Sequence, residues 1–238
     1  MGAEWKGKGS RNRNGLRPVT GSWWVQSEEK PRACSEKKER WKMFEKKMDV
    51  KLIGVAPMLM HNQRTCNPLD KYAKEMKEIT GRRKKTDKDL EDLSKLEFMA
   101  GLYHDEKGYY IPSEQIEMMI ASHANAVCKI GKNSLIADLT VEYPFYLDSY
   151  DGPESPEERF LNPNCVDVRS VRIQKNRVMR TRPVFKNWTA SGRICFSDAI
   201  TADQIKKMLD RGCNTGLGDF RPKFGRFQFE VIEPKGKK

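Results

Sequence analysis

The feature that most constrains this 238-residue chain is the apolar run DVKLIGVAPMLM, which begins at Asp49. Its apolar side chains fall at both odd and even positions, a pattern typical of a central strand that is covered on both faces of a sheet. The residues before Asp49 contain almost no aliphatic side chains. We therefore predict that the folded domain spans residues 49–238 and that this run is its first core strand.

Residues 62–112 are predicted to be an insertion after the first strand. Pro68 precedes one helical stretch, and a second helix after Thr86 places three leucines in step. The sequence LYHDEKGYYI then has strand-forming residues on both sides of a turn that contains glycine, which indicates a hairpin. The insertion is thus expected to consist of two helices and one hairpin.

Downstream of the insertion, helical and alternating patterns follow each other. A helix is predicted to begin at Pro112 and Ser113, followed by a long half-buried strand over 135–147 and a loop over 148–164. Next come a strand VDVRSVRI with a bulge near Arg169 and an alternating strand over 180–196. The chain then forms a short helix capped by Thr201 and Gln204 and a last strand FGRFQFEVI.

Without the insertion, this order is close to βαββαβ, the ferredoxin-like or RNA-recognition-type pattern. We predict an α+β fold in which an antiparallel sheet carries its helices on one face. The opposite face of the sheet would then be available for a ligand.

The composition excludes several classes of protein. Hydrophobic residues make up 37% of the chain and charged residues 33%, and the mean hydropathy is −0.77. The sequence contains no apolar run of membrane-spanning length and begins with polar and basic residues, which disfavours a membrane span and a secretory signal. The expected location is the cytoplasm.

The six cysteines and three histidines show no zinc-ligand spacing. The cysteines are scattered without a CxxC pair, and no HExxH-type pair of histidines occurs. We predict reduced thiols, no metal site and no cofactor.

Residues 1–48 form a basic arm. They carry 13 Lys and Arg against 6 Asp and Glu, which is more than half of the formal net charge of +12. Such a polar segment cannot bury a core by itself, and we expect a poorly ordered tail. Its tryptophans, Trp5, Trp23, Trp24 and Trp41, leave a second interpretation open, in which the arm contacts nucleic acid or a neighbouring subunit.

A run of charge of a single sign lies in the C-terminal half. Between Arg169 and Arg193 there are eight basic residues and no Asp or Glu. Such an array on strands and their connecting turn matches the phosphates of a polynucleotide. The alternative is a solvated hairpin that pairs with acidic neighbours. The residues predicted to contact phosphate are Arg169, Arg172, Lys175, Arg177, Arg180, Arg182 and Lys186.

A second candidate site is the segment GCNTGLGDFRPKFGR between the last helix and the last strand. Glycines allow the backbone to approach a phosphate or a sugar closely, and nearby cations supply charge. The segment lacks the GKS or GKT ending of a P-loop, and its order of helix then strand is opposite to that of a Rossmann turn, so ATP or NAD binding is disfavoured. The predicted clamp residues are Gly216, Gly218, Arg221, Lys223 and Arg226.

This segment resembles the C-terminal glycine-rich loop of the repeat-associated mysterious protein (RAMP) superfamily. The resembling part is a capped helix followed by GLGDFRPKFGRF and a final strand, at the end of a ferredoxin-like domain. The superfamily includes the CRISPR effector backbone subunits and the CRISPR RNA-processing endoribonucleases.

The resemblance implies a modified RNA-recognition-type fold that binds single-stranded nucleic acid. Because the chain offers few candidates for a general acid and base, we expect a non-catalytic protein, with RNA preferred over ssDNA. The resemblance also implies that several copies assemble along the strand, with other subunits of a CRISPR-like or phage ribonucleoprotein, in a prokaryotic or phage-infected cell. The insertion over 62–112 would match the variable palm or thumb elaborations of the superfamily.

Two other function classes stay open. A metal-independent endoribonuclease needs a general base and acid near the 2′-OH of RNA. His61, just after the first strand, is the best-placed candidate, with Tyr72 or Lys71 as helpers, whereas Asp219 is expected to have a structural role in a turn. The third class is an inhibitor or interaction protein that uses its basic face against an acidic protein partner.

Overall fold

Two antiparallel sheets organise residues 44–174 and 176–232, which are the residues that this computed structural model describes. The larger sheet has seven strands and the smaller one has three within these ranges. Helices accompany both sheets, so the fold is α+β, as predicted. The predicted basic arm over 1–48 lies outside the described residues except for its last five.

The strands and helices have the following bounds. The strands are β1 (Lys46–Gly54), β2 (Met58–Leu59), β3 (His104–Asp105), β4 (Gly108–Ile111), β5 (Leu139–Val141), β6 (Phe145–Tyr150), β7 (Val166–Ile173), β8 (Asn176–Phe185), β9 (Trp188–Phe196) and β10 (Phe227–Ile232). The helices are α1 (Lys71–Thr80), α2 (Asp87–Gly101), α3 (Ser113–Ser122), α4 (Ala124–Cys128), α5 (Lys132–Asp138), α6 (Pro156–Leu161) and α7 (Ala202–Thr215).

The larger sheet has the ferredoxin-like strand order. β1 pairs with both β9 and β10, and β9 pairs with β6, always antiparallel. The order of these strands across the sheet is therefore β10, β1, β9, β6. They are the fourth, first, third and second strands of a βαββαβ unit, and the two helices of this unit are α3 and α7. The hairpin β3–β4 extends the sheet beyond β6, and β5 pairs with β9.

The main core lies between the larger sheet and the two helices of the βαββαβ unit. Alternate residues of β1, from Met48 to Leu52, are at most 5% exposed, as expected for a strand with one face against a helical layer. Each Leu-sized side chain that is fully buried contributes about 1.5–3 kcal/mol. The helices contribute Ile116, Met119 and Ile120 from α3 and Ile205, Met208 and Leu209 from α7.

The prediction that the first strand is covered on both faces is wrong. Lys47, Asp49 and Lys51 alternate with the buried residues and are exposed or half-buried. The strand also ends early, because the backbone N–H groups of Val55 and Ala56 donate to the carbonyl of Arg226 at 2.8 and 3.0 Å. The second half of the apolar run forms β2 in the other sheet instead.

The predicted strand over 135–147 is wrong in its first part. α5 extends to Asp138, and only then do β5 and β6 follow. Leu135 and Leu139 are both buried, and their spacing of four residues suits a helix as well as an alternating strand. Pro144 separates the two short strands because it has no N–H to donate to the ladder.

The basic run forms a hairpin in the smaller sheet. β7 and β8 pair in one continuous register from Val166 with Pro183 to Ile173 with Asn176, so the bulge predicted near Arg169 is absent from this pair of strands. β2 pairs with the end of β8. The predicted strand over 180–196 therefore consists of the end of β8 and all of β9, which belong to different sheets.

The insertion contains the two predicted helices and the predicted hairpin. α1 and α2 pack on each other, α2 also packs against β8, and the hairpin β3–β4 joins the larger sheet. Within the described ranges, no helix has the length and apolar character needed to cross a bilayer. The five cysteines in these ranges are free thiols.

Candidate nucleic-acid interface

The hairpin β7–β8 presents its arginines in cross-strand pairs. Arg169 lies opposite Arg180, and Arg172 lies opposite Arg177. Residues that lie directly opposite each other share a face of a ribbon, whereas successive residues along a strand alternate between faces. The positive charges of the run are therefore divided between two faces and do not form one continuous stripe.

Three of the seven residues predicted to contact phosphate have carboxylate partners. One of these carboxylates, Glu97 of α2, is only 7% exposed and also accepts a hydrogen bond from the backbone N–H of Thr181 at 2.9 Å. Such a pair fixes the position of an arginine but reduces the charge that the arginine offers to a phosphate. The three pairs are Arg169 with Asp167, Arg180 with Glu97 and Arg182 with Asp219.

The other four residues of the run have different surroundings. Arg177 is exposed, and Arg172 is exposed while its Nε donates to a backbone carbonyl in the hairpin turn at 3.1 Å. Lys186 donates from Nζ to the side-chain oxygen of Asn164 at 2.9 Å. Lys175 lies outside the described residues. In the described part of the chain, Arg172, Arg177 and Lys186 form no ion pair with a carboxylate.

The predicted clamp glycines serve the packing of their own loop. Gly216 and Gly218 have φ angles of 78° and 75°, which residues with side chains rarely adopt. A Cβ at Gly216 would lie 2.6 Å from the carbonyl oxygen of Phe224, and one at Gly218 would clash with the carbonyl oxygen of Leu59. The close backbone approach that glycine permits is thus made to the protein itself.

The three cations of this loop are exposed. Arg226 donates from Nε to the carbonyl of Pro222 at 2.8 Å, which holds its side chain along the loop. Arg221 and Lys223 are also exposed, and none of the three forms an ion pair with a carboxylate of the described residues.

Arg169 joins the hairpin to the glycine-rich loop. Its guanidinium carbon lies 4.7 Å from the centre of the Phe220 ring and 4.4 Å from the centre of the Phe224 ring. The hydrogen bonds from Arg169 to Asp167 raise the pKa of this guanidinium, so it stays cationic. Each cation–π contact contributes about 0.5–2 kcal/mol. This contact joins the face of the hairpin that carries Arg169 to the glycine-rich loop, two segments that are separate in the sequence.

Two cavities flank the place where the hairpin and the loop meet. The first has a volume of about 580 Å³ and lies between α1, α2 and the hairpin. The second has a volume of about 630 Å³ and lies between the turn after β2, the start of α3 and the loop. We call the shared wall the ridge; it consists of His61, Asn62 and Asp219. Arg172, Arg180 and Arg182 line the first cavity and Arg221 the second.

His61 stands on the ridge with its side chain 43% exposed. Its Nδ1 lies 3.5 Å from Oδ2 of Asp219, which also accepts a hydrogen bond from Arg182 Nε at 3.1 Å. Burial lowers the pKa of His61, and the positive charge of Arg182 lowers it further. The imidazole is therefore neutral at neutral pH and can accept a proton. The predicted helpers Tyr72 and Lys71 line neither cavity.

Sequence reasoning did not assign Glu97, Asp219 or Phe224 to this surface. Glu97 is 83 residues from Arg180, and no local pattern connects the two. Phe220 and Phe224 offered a signal, because two aromatic rings four residues apart in a glycine-rich loop can face one partner. Within the described residues, no cluster of three or more His, Cys, Asp or Glu side chains could hold a metal ion.

The open face of the larger sheet carries one cation of the basic run, Arg193, which is paired with carboxylates. Arg193 of β9, the last cation of the basic run, donates to the carboxylates of Asp49 and Glu142. Ser191 donates to Asp148 on the same face. On this face, which was predicted to be available for a ligand, the cation of the basic run is therefore already used within the protein.

The comparisons with known proteins yield a structural likeness and no sequence relative. No protein-family model matches the chain, and no curated protein matches it. The structure is similar to a chain in the cryo-EM structure of the Type III-B Cmr-beta bound to cognate target RNA, with 15% sequence identity and a TM-score of 0.41. The match covers 84% of this chain and 64% of that chain, so this chain spans less than two thirds of the length of the protein it matches.

Proposed function

We propose that this protein binds single-stranded nucleic acid, RNA in preference to ssDNA, along a basic surface that joins the hairpin to the glycine-rich loop. The observation that carries the proposal is the contact of Arg169 with the rings of Phe220 and Phe224, which holds the hairpin against the glycine-rich loop. The basic surface consists of Arg172, Arg177, Lys186, Arg221, Lys223 and Arg226.

The difference between the cations that pair with carboxylates and those that do not supports this function. The six residues of the basic surface keep their full charge, because they pair with no carboxylate of the described residues. Each phosphate that they neutralise releases counterions, so binding must weaken steeply as salt is added. The paired residues Arg180 and Arg182 line the first cavity, where they hold fixed donors beside the path of the strand.

The experiment that tests the proposal measures the salt dependence of binding. The affinity of a labelled RNA oligonucleotide is determined by fluorescence anisotropy over a series of salt concentrations, for the parent and for the double variant Arg172→Ala/Arg177→Ala. We expect the slope of log K against log salt to fall by about 0.7 for each phosphate that the variant no longer neutralises. The control is Lys206→Ala/Lys207→Ala, which removes the same charge from exposed positions on α7. Equal slopes for all three proteins, or no binding by the parent at low salt, would overturn the proposal.

Two further measurements test the preference for RNA and the number of protein copies on one strand. An ssDNA of the same sequence tests the preference for RNA, which requires contacts to the 2′-OH in addition to phosphates. We further propose that several copies bind along one strand, together with other subunits of a ribonucleoprotein. Light scattering on RNAs of increasing length then gives a mass that rises in steps of one protein.

An endoribonuclease is the second candidate, and the geometry of His61 favours it. A neutral imidazole beside the Asp219 carboxylate could accept the proton of a 2′-OH, and the neighbouring Arg182 could stabilise a phosphorane. RNA cleavage in a chelator, by the parent, His61→Ala and Asp219→Asn, tests this candidate. Loss of cleavage in His61→Ala, with an ssDNA left intact by the parent, supports it; unchanged cleavage by His61→Ala excludes this histidine.

A further inference from the structure

The second cavity differs in chemistry from the first. The first is lined by arginine–carboxylate pairs, whereas the second is lined by Tyr103, Gln115, Glu114 and the exposed Met118, with Arg221 as its one cation among the described lining residues. We propose that the second cavity takes one nucleobase of the bound strand and favours a base with an exocyclic amino group. The inference rests on the proposed function, since the base belongs to the strand that the basic surface holds.

The walls of the cavity suit a flat heterocycle. Tyr103 is half-buried, and burial raises the pKa of its phenol, so the ring stays neutral. Its hydroxyl donates to the carbonyl of His61 at 3.3 Å and accepts from Gln115 Nε2 at 3.4 Å, which holds the ring in place. Gly218 has no side chain to fill the space, and the thioether of Met118 adds an apolar surface. Single-stranded RNA is recognised by this combination of apolar contact and hydrogen bonds to the base edges.

Among the groups that line the cavity, the Glu114 carboxylate can only accept hydrogen bonds, whereas Arg221 and the amides of Gln63 and Gln115 can also donate. One N–H of the Gln115 amide donates to Tyr103, which leaves the second N–H and the amide oxygen. Both polar atoms of the Asn62 side chain already form hydrogen bonds within the protein. The amide nitrogen donates to the carbonyl of Leu102, and the amide oxygen accepts from the N–H of Arg64. The exposed carboxylate of Glu114 has no hydrogen-bond donor among the described residues. A ligand group that faces the Glu114 carboxylate must therefore be a hydrogen-bond donor.

This requirement discriminates between bases. The N4 amino group of cytosine and the N6 amino group of adenine donate to carboxylate or amide oxygens. Uracil presents a carbonyl oxygen at the corresponding position, which would face the Glu114 carboxylate without a proton between them. Cytosine and uracil are similar in size, so a preference between them reports hydrogen bonding and not fit.

Arg221 connects the base to the strand. It lines the second cavity and belongs to the basic surface, so a phosphate next to the bound base can contact it. The ridge residue Asp219 separates this cavity from Arg180 and Arg182 in the first. One nucleotide therefore places its base on one side of the ridge while the strand continues towards the hairpin.

The experiment compares cytosine and uracil in RNA homopolymers of equal length. Dissociation constants for oligo(C) and oligo(U) are measured by fluorescence anisotropy at one salt concentration, for the parent, Glu114→Gln and Glu158→Gln. We expect the parent to prefer oligo(C) by roughly tenfold. In Glu114→Gln the ratio should fall towards one. Glu158 is an exposed residue of α6, so Glu158→Gln makes the same change in charge away from the cavity and should keep the parental ratio.

The ratio of the two constants is the informative quantity, because removing one negative charge strengthens binding to every polynucleotide. A parent that binds both homopolymers equally, with the expected salt dependence, overturns the base cavity and leaves the proposed function intact. A preference that survives in Glu114→Gln also overturns it. A parent that binds neither homopolymer at low salt overturns both proposals.

Discussion

Arg159 of α6 is a fully buried cation. Its guanidinium carbon lies 3.9 Å from the centre of the Phe185 ring, and its nitrogens donate to the carbonyls of Pro153 at 3.1 Å and Val184 at 3.2 Å. Burial removes the guanidinium from water and thereby lowers its pKa. No carboxylate of the described residues forms an ion pair with it. The aromatic rings and carbonyls around the guanidinium take the place of water as its interaction partners. Through these contacts, Arg159 connects the loop before α6 to the base of the hairpin.

We expect Arg159→Ala to lower the free energy of unfolding by about 3 kcal/mol or more, because it leaves a cavity and removes the donors to one buried and one half-buried carbonyl. Chemical denaturation measures the change. Arg211→Ala, at an exposed position of α7, should alter the free energy by no more than about 0.5 kcal/mol. An Arg159→Ala protein that unfolds at the parental denaturant concentration would show that the buried contacts contribute nothing net.

The residues of the site could be predicted from the sequence only where charge alone identifies them. Arg172, Arg177 and the loop cations belong to a run whose sign is visible in the sequence. The neutralisation of Arg180 by Glu97 could not be predicted, because it depends on how α2 packs against β8. His61 could be singled out by its position after a strand, but its approach to Asp219 required the fold.

At the scale of elements, the glycine-rich loop is the piece whose backbone is most constrained. Gly225 has a φ angle of 72°, and its N–H donates to the carbonyl of Pro57 at 2.7 Å. A Cβ there would clash with the carbonyl oxygen of Leu217. The loop cations and the two phenylalanines that hold Arg169 follow from this path of the backbone, so the loop geometry sets the site.

Gly225→Ala should therefore destabilise the protein by about 2 kcal/mol or more, through the strained φ and the clash. Thermal unfolding measures the loss, and binding of RNA should weaken in parallel as the loop shifts. Gly131→Ala is the matched control, since Gly131 has a φ of −67° and the nearest atom to a new Cβ would be 3.8 Å away. Equal melting temperatures for the two variants would argue against a constrained loop.

Helices and strands could be predicted from the sequence where the apolar residues fit only the helical period or only the strand period. The helix of Thr201 and Gln204 has both hydrogen bonds of its capping box, and its buried face follows the helical period. The segment over 135–147 failed because Leu135 and Leu139 satisfy both periods, and the choice depended on burial against α3. The prediction of one strand over 180–196 failed because the sequences of β8 and β9 both follow an alternating pattern. Nothing local to residues 186–187 indicates a change of sheet.

For the whole molecule, the ferredoxin-like unit and the hairpin are separable in architecture. The order of β10, β1, β9 and β6 is complete without β7 and the outer half of β8. Only the end of β8, at Val184 and Phe185, pairs with β2 and contacts Arg159. The unit therefore supplies stability, while the outer hairpin supplies a large share of the basic surface.

This separation predicts that the outer hairpin can be removed without unfolding the protein. Arg169 and Arg180 lie opposite each other, so replacing residues 170–179 by Asn-Gly joins them through a two-residue turn that matches the strand twist. Glu97 keeps its hydrogen bond from the N–H of Thr181. We expect cooperative thermal unfolding to persist and the affinity for RNA to fall by at least tenfold at low salt, with a shallower salt slope. A folded variant that binds RNA with the parental affinity and slope would move the binding surface away from the hairpin, to the loop and the ridge alone.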